Sequence, residues 1–424
     1  MAQSFPVKHV GNPTKALNKL MDRQVFYENF FGRFMSHTTL GNSKFRYQIV
    51  KAANKYIKGH GAVNLHNGEL VQGGDYVAVP RAKILEENFR NGDEMVKGYE
   101  VDQTLMWKHV TVEQVRMGVN IYNGKGSLQR NKEVMMELMN DAKPALADKF
   151  ESWTNHHGLY SALFRGYSNN LLQSSNYSSI YSQISHPHFY YSNGTNMVAV
   201  SHSSLPGTAG YETAIAAAVD TYSGVSTEGM THQYLLDLRT ACYDKKIEPI
   251  VTIEGYKFWP MIIHTSIGNQ IRALSDFRTY QSRAEEMGKS NPIFSGALGA
   301  WDQFVFFEDH SIWAVDKQTP GSAYNASTNP LVYGVSTPTT SLDTRTIKLG
   351  VILGKGAVSG ARIGGLNFED EYDDYKANKG LAADMISGYH RSDYWADVNA
   401  NTKYALGDFE ENDSSIVFIL SSDA

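Results

Sequence analysis

The sequence predicts a chain of mixed helices and strands in two or three sub-domains, one of them a compact α/β or α+β unit from about 209 to 290, and three observations carry that prediction. One unbroken helical period runs from Ser127 to about Arg165. Two extended runs before it are separated by a long polar excursion, and helices alternate with a hairpin between about residues 209 and 290. At 424 residues the chain exceeds the size at which a single hydrophobic core keeps growing, so more than one core is expected.

Met1 to Pro13 reads as irregular. Lys15 to Met35 reads as helical on Leu17, Leu20, Met21 and Phe26, with the Phe-rich end from Phe26 to Phe34 suited to a buried turn. The first 60 residues hold ten Lys and Arg against two acids, a net of +8, so the rest of the chain carries −13 to reach the total of −5. A basic arm on an acidic body can face a polyanion, dock on an acidic neighbour, or simply be solvated. Gly59 to Gly74, rich in Gly, Asn and His, leads out of this arm.

Tyr76 to Leu85 is extended. Val115, Met117, Val119 and Ile121 alternate with polar or small residues, the period of a strand with one buried face. Val110 and Val112 carry their apolar set on the opposite parity, so the phase switches near Glu113, as a bulge or a change of packing partner would require. Between the two extended runs, Glu86 to Tyr99 holds Glu86, Glu87, Arg90, Asp93, Glu94 and Lys97, which cannot be buried unpaired. That excursion belongs in solvent or on another molecule.

In the rod that follows, Leu128, Met135, Met139, Ala142, Leu146, Phe150 and Trp153 share one helix face. Ser127 stands where an N-cap would, Gly158 loosens the far end, and Pro144 predicts a bend. At about 1.5 Å per residue, thirty such residues span roughly 45 Å, longer than a compact domain needs.

Ser168 to Ser204, full of Ser, Asn and Tyr, reads as a long surface stretch. Gly210 to Tyr222 is Ala-rich and helical. A helix from about Thr231 to Asp244 puts Tyr234, Leu235, Leu238, Ala241 and Cys242 on one face. Ile250 to Ile253 and Tyr256 to Ile263 form a hairpin about Glu254-Gly255, with Pro260 suggesting an edge strand. Ile267, Ile271, Leu274, Phe277, Ala284 and Met287 mark a third helix. Strands are expected around Phe304 and Phe306, over Ile347 to Leu353, and over Ser415 to Ser421. Lys317 to Asp343 reads as a loop, and so does the acid-rich run Glu369 to Asp374.

Composition narrows the function. Hydrophobic content of 42% and charged content of 20% describe a folded soluble chain, and no run approaches the roughly 20 apolar residues of a membrane span. The single cysteine, Cys242, excludes an internal disulfide and fits a reducing compartment. His186, His188 and His202 lack an acidic or Cys partner at ligand spacing, and His156 and His157 point apart on a helix. The five glycines of Gly354 to Gly365 have neither dinucleotide nor phosphate-loop spacing, so close backbone packing explains them better. Glu369 to Asp374 lacks the calcium-loop pattern and reads as a solvated or partner-facing acidic patch. No hydrolase elbow, zinc helix or paired-cysteine motif is present, so no catalytic, cofactor or metal residue is assigned. Carboxylate-pair hydrolases leave almost no local signature, which keeps open a soluble carbohydrate-active hydrolase with its site in residues 168 to 204.

The stretch Asn291-Pro292-Ile293-Phe294-Ser295-Gly296-Ala297-Leu298-Gly299, with the aromatic strand through Phe307, resembles the major capsid proteins of tailed bacteriophages, in the group typified by coliphage N-four. Softer matches follow in order: the Gly74-Asp75 turn, Gln129-Arg130 at the start of the rod, the helix, hairpin and helix of 231 to 287, Asp374-Tyr375, Gly388 and Arg391. Two departures stand out: Asp374-Tyr375-Lys376-Ala377-Asn378 replaces the family's Asp-Tyr-Gly-Asn, and Gly350-Val351-Ile352-Leu353 replaces its Gly-Ala-Gln-Ala.

The resemblance implies the Hong Kong 97-like fold shared by tailed-phage and herpesvirus major capsid proteins. It implies an N-terminal arm over 1–64, and a peripheral domain over 65–208 with an extended loop near 81–106 and a spine helix over 127–165. An axial domain over 209–345 and a C-terminal return over 346–424 complete it. In function it implies a protein that self-assembles in the host bacterial cytoplasm into hexamers and pentamers of an icosahedral shell around double-stranded DNA. Expected partners are scaffolding, portal and decoration proteins, with no membrane and no cofactor. Glu86, Glu87, Phe89, Arg90, Asp93, Glu94 and Lys97 are the expected interface residues of the extended loop, and Lys8, Lys15, Lys19 and Arg23 the interior, DNA-facing residues of the arm. A phage tail or decoration protein is the structural alternative.

Overall fold

A computed structural model describes residues 21–22, 24–25, 35–38, 57–58, 62–67, 76–82, 91–92, 97, 105–121, 132–160, 162–163, 189–192, 197–199, 230–245, 247–252, 257–275, 277, 299–310, 312, 314–316, 346–373, 378–391 and 415–422. Among these, two larger sheets and one separate two-stranded sheet organise the chain.

The first sheet joins β1 (Met35–Thr38), β3 (Val63–Asn67) and β6 (Glu113–Ile121) to a long antiparallel hairpin of β15 (Val358–Asp373) and β16 (Asn378–Arg391), in the order β1-β3-β15-β16-β6. The second is ten-stranded. It contains β2 (Ile57–Lys58), β7 (Phe189–Ser192), β8 (Met197–Ala199), β9 (Ile250–Thr252), β10 (Lys257–Ile263), β11 (Gly299–Trp301), β12 (Phe304–Glu308), β13 (Ala314–Asp316), β14 (Thr346–Leu353) and β17 (Ile416–Ser422). The third pairs β4 (Tyr76–Ala82) with β5 (Leu105–Thr111).

Each larger sheet has its own core. Helix α1 (Lys132–Trp153) lays Leu146, Ala147 and Phe150 on Val115 of β6 and on Leu381, Ala383 and Met385 of β16, as its period predicts. It runs through Pro144 without ending there and passes at Thr154 into a π-helical segment, Thr154–Tyr160. Ser127 and Leu128 lie outside the described residues. The phase switch near Glu113 is a change of partner: Val110 packs with Ala361 and Val112 beneath β5, while Val115 packs under α1. Met117, expected on the same buried face, is 41% exposed on the last described strand of the sheet.

Over the ten-stranded sheet, α2 (His232–Asp244) buries Tyr234, Leu235, Leu238, Ala241 and Cys242, the face read from the sequence. The Thr231 side chain caps it by accepting from the Tyr234 amide at 3.2 Å. The β9–β10 hairpin forms as expected, but Pro260 is not on an edge, because β10 lies between β12 and β14. The Trp259 amide donates to Gln303 at 2.8 Å on the β12 side, so the missing Pro260 donor faces the other side. There β9 pairs only up to Phe258 and β14 only from Met261, and the proline fills the gap.

Four further expectations need correction. The third helix, α3 (Thr265–Ala273), stops where Leu274 turns to an extended φ of −65° and ψ of 127°, although Ile267, Ile271 and Phe277 are all buried. Ala284 and Met287 lie outside the described residues, as does the Ala-rich run 210–222. The Tyr-rich stretch is not all surface: Tyr190 and Tyr191 of β7 are buried beside β17, and the Tyr190 carbonyl accepts from the Tyr234 hydroxyl at 3.0 Å. Met35 begins a strand rather than ending a helix. The acids up to Asp373 belong to β15 instead of a loop, Glu369 and Glu371 exposed while Phe368 packs against the α1 core.

The glycine cluster after β14 does serve close packing. A Cβ at Gly360 would stand 2.8 Å from the Tyr389 ring, and one at Gly365 would stand 2.8 Å from the Asp22 carboxylate.

Candidate functional site

Three features of the described surface bear on contacts beyond the chain. The first is the β4–β5 ribbon, whose register runs unbroken from Tyr76↔Thr111 to Ala82↔Leu105. Its two strands pair with each other alone among the described residues, and the chain between Ala82 and Leu105 leaves from the open end. At the other end the ribbon is rooted. Val110 is fully buried against Ala361, and a Cβ at Gly388 would come within 1.8 Å of the Thr111 carbonyl, so β16 passes directly against the base.

Of the expected extended-loop residues, Lys97 lies exposed in a turn. Glu86, Glu87, Phe89, Arg90, Asp93 and Glu94 lie outside the described residues. Asn91 and Gly92, between them in sequence, are exposed, with Gly92 at a φ of +23°.

The second feature is the anchoring of the N-terminal segment around Asp22. Lys8, Lys15, Lys19 and Arg23 lie outside the described residues, but their neighbours are held firmly. Asp22 accepts from the Leu366 amide at 3.1 Å and pairs with Arg362 at 3.4 Å, where the two side chains are only 21% and 10% exposed. Gln24 donates to Asp148 and, at 3.2 Å, to Glu151 on α1, and Val25 is fully buried in the core beneath that helix. Residues 21–25 are therefore tied, at Asp22, Gln24 and Val25, between α1 and the irregularity that breaks the β15–β16 register between Ile363 and Asn367. Sequence reading counted Asp22 only as a charge; no local pattern marks it as an anchor.

The third feature is the solvent side of the five-stranded sheet. Arg116 faces Glu369 at 3.9 Å with both side chains well exposed, and Gln114 donates to Asp384 at 3.1 Å. Such exposed pairs contribute little to stability. They leave a polar, mostly acidic face of Glu369, Glu371 and Asp384.

Chemistry finds little to use here. Among the described residues no three His, Cys, Asp or Glu side chains stand where they could hold a metal ion, and no helix is long and apolar enough to cross a membrane. His186, His188 and His202 lie outside the described residues. Cys242 is fully buried, and burial pushes its thiol well above the usual range, the opposite of what a reactive nucleophile needs.

Comparison with known proteins gives these features a setting. Residues 66–410 match the family model described as "Phage capsid protein". Among solved structures, the chain is similar to the capsid of Ralstonia phage GP4, at a TM-score of 0.57 and 15% identity, covering 99% of this chain and 94% of that one. It is also similar to the acid-stable capsid of Helicobacter pylori bacteriophage KHP30, at a TM-score of 0.47 and 11% identity over 93% and 92% of the two chains. The cyanophage Pam1 capsid follows at 0.45 and 13% over 84% and 87%. No curated protein matches it in sequence.

Proposed function

Because this chain belongs to the phage capsid protein family, whose model covers residues 66–410, we propose a specific way in which it builds the shell. The protein is a structural component of a virion capsid, not an enzyme, with the α+β fold of tailed-phage major capsid proteins. With the family known, the hydrolase reading has no remaining support.

In our reading the subunit is the major capsid protein, assembling as hexamers and pentamers into an icosahedral shell around double-stranded DNA. Residues 1–64 form the arm, the β4–β5 ribbon and the polar segment beyond it form the extended loop, and the modules around α1 and around the ten-stranded sheet correspond to the peripheral and axial domains. The observation that carries this is the ribbon itself. Its base is fixed by Val110 and Gly388, while its strands have no described partner but each other. An isolated two-stranded ribbon is marginal in water, so a neighbouring subunit is the natural surface for it to rest on. Each such contact is modest, and repetition around the shell supplies stability through multivalency.

Glu86, Glu87, Phe89, Arg90, Asp93, Glu94 and Lys97 then meet the adjacent copy. Lys8, Lys15, Lys19 and Arg23 face the interior and touch phosphates without reading sequence. Assembly in the host cytoplasm, with scaffolding, portal and decoration proteins, completes the proposal.

Shortening Glu86–Tyr99 to a tight turn tests it: the variant should fold as a subunit and form no shells, and normal particles would remove the ribbon from the interface. Deleting residues 2–20 should weaken assembly or DNA retention, and if both were unchanged the arm would have neither role.

A further inference from the structure

The π segment Thr154–Tyr160 is gripped by both large sheets. From the five-stranded sheet, β16 sends Tyr389 between two glycines: a Cβ at Gly158 would stand 2.9 Å from the ring on one side, and one at Gly360 would stand 2.8 Å away on the other. Two residues on, Arg391 is completely buried and donates from Nη1 to the Leu163 carbonyl at 2.7 Å, just beyond the segment. From the ten-stranded sheet the grip includes a polar contact. Tyr160, fully buried, donates its hydroxyl to Asp309 Oδ2 at the end of β12. The Asp309 amide in turn donates to Ile263 of β10 at 3.0 Å, which ties the acid to the middle of that sheet.

We infer that the π segment is a latch coupling the two sheets, with the Tyr389–Arg391 clamp as its permanent half and the Tyr160–Asp309 hydrogen bond as its releasable half. The asymmetry follows from the chemistry. Interlocked ring and backbone can part only by unpacking, whereas a hydroxyl on a carboxylate parts by a side-chain rotation. The segment is also poised to move. Thr154 donates its hydroxyl back to the Phe150 carbonyl at 2.9 Å, a contact that bends helices, and short π stretches inside helices recur at functional sites. Burial, with the charge and the hydrogen bond of Asp309 adding to it, holds the Tyr160 hydroxyl protonated well above its ordinary range, so the donor persists at all ordinary pH. Opening the bond frees the end of α1 from the ten-stranded sheet and leaves it fixed to β16. The inference rests on contacts within one subunit and does not depend on the shell reading.

Hydrogen exchange followed by mass spectrometry on the full-length unassembled subunit tests it, comparing the wild type with Tyr160→Phe, Asp309→Asn and the double variant. Phenylalanine keeps the buried ring and removes only the donor. A hydrogen bond to a charged group corresponds to roughly a ten- to hundredfold change in an opening equilibrium. Tyr160→Phe should therefore raise exchange by about that factor in residues 154–163 and, together with it, in residues 304–312, while residues 378–391 stay protected. Asp309→Asn retains an accepting oxygen, so it should raise both segments by only a few-fold, and the double variant should exceed Tyr160→Phe little or not at all. A rise confined to residues 154–163, or independent and multiplying effects in the double variant, would overturn the latch. Were Tyr160→Phe to misfold, Asp309→Asn alone decides: unchanged exchange in 154–163 would equally overturn it.

Discussion

Gly158 gives the sharpest check on the packing, because local propensity and tertiary structure predict opposite signs. In a helical segment Ala is favoured over Gly by about 1 kcal/mol, so Gly158→Ala judged by propensity should stabilise. The structure predicts a loss. The new methyl would lie 2.9 Å from both Cδ2 and Cε2 of Tyr389, and the opposite edge of the ring lies so close to Gly360 that a Cβ there would stand 2.8 Å from Cδ1, which leaves the ring little room to retreat. Overpacking of this kind costs about 1–3 kcal/mol, which against the propensity gain leaves a net loss of up to roughly 2 kcal/mol. Urea unfolding of the purified subunit would show it as a lowered midpoint with an unchanged slope. Gly118→Ala is the control, since its nearest neighbours would be 3.8 Å and 3.9 Å away and no penalty is expected. In a Tyr389→Leu background the flat ring is gone, and Gly158→Ala should lose most of its cost, giving a coupling of about 1 kcal/mol or more in the double-mutant cycle. A Gly158→Ala subunit more stable than the wild type, or a cycle with no coupling to Tyr389, would refute the sandwich.

Two further outcomes are expected. Asp22→Ala removes a partner of the nearly buried Arg362 and the acceptor of the Leu366 amide, which should cost about 1–3 kcal/mol and make the chain near residues 21–25 more readily cut in limited proteolysis; an unchanged cleavage pattern would contradict the anchor. Stability should also fall in alkali. Cys242 and Tyr160 are both held neutral by burial, the tyrosine also by Asp309, whereas in the unfolded chain they ionise in their ordinary ranges, about 8.5 and 10. The unfolded state then binds fewer protons, so the stabilisation is complete below those ranges and declines as pH rises through them. Melting temperatures from pH 7 to 11 should drop above about pH 8.5, Cys242→Ala should flatten the first part of that drop, and a level wild-type profile would contradict the burial of both groups.

What the sequence showed plainly was local in origin. The face of α2 follows from a 3.6-residue period, the β9–β10 hairpin from two apolar runs about Glu254-Gly255, and the partner change at Glu113 from a parity switch. The longest hairpin was missed because nothing near it in sequence explains it. β15 and β16 carry glycines and acids that disfavour strands in isolation, and they are held by β3 and β6, 295 and 274 residues earlier in the pairings Val358↔Val63 and Ser387↔Glu113. Pro260 misled for a related reason: its missing donor matters only on one side of β10, and which strand lies there is a tertiary fact. At the candidate site, the charge of Glu86 to Tyr99 points to a polar excursion, of which Asn91, Gly92 and Lys97 are described and exposed. The anchor at Asp22 and the contact of Tyr160 with Asp309 join residues 344 and 149 positions apart, a link that a single sequence does not display.

The central claim is that this subunit builds a shell from copies of itself. Negative-stain electron microscopy and sedimentation of the purified full-length chain, alone and then with a candidate scaffolding protein, test it most directly. Closed shells, tubes or hexameric rings are the predicted result. A chain that stays monomeric under both conditions would contradict it.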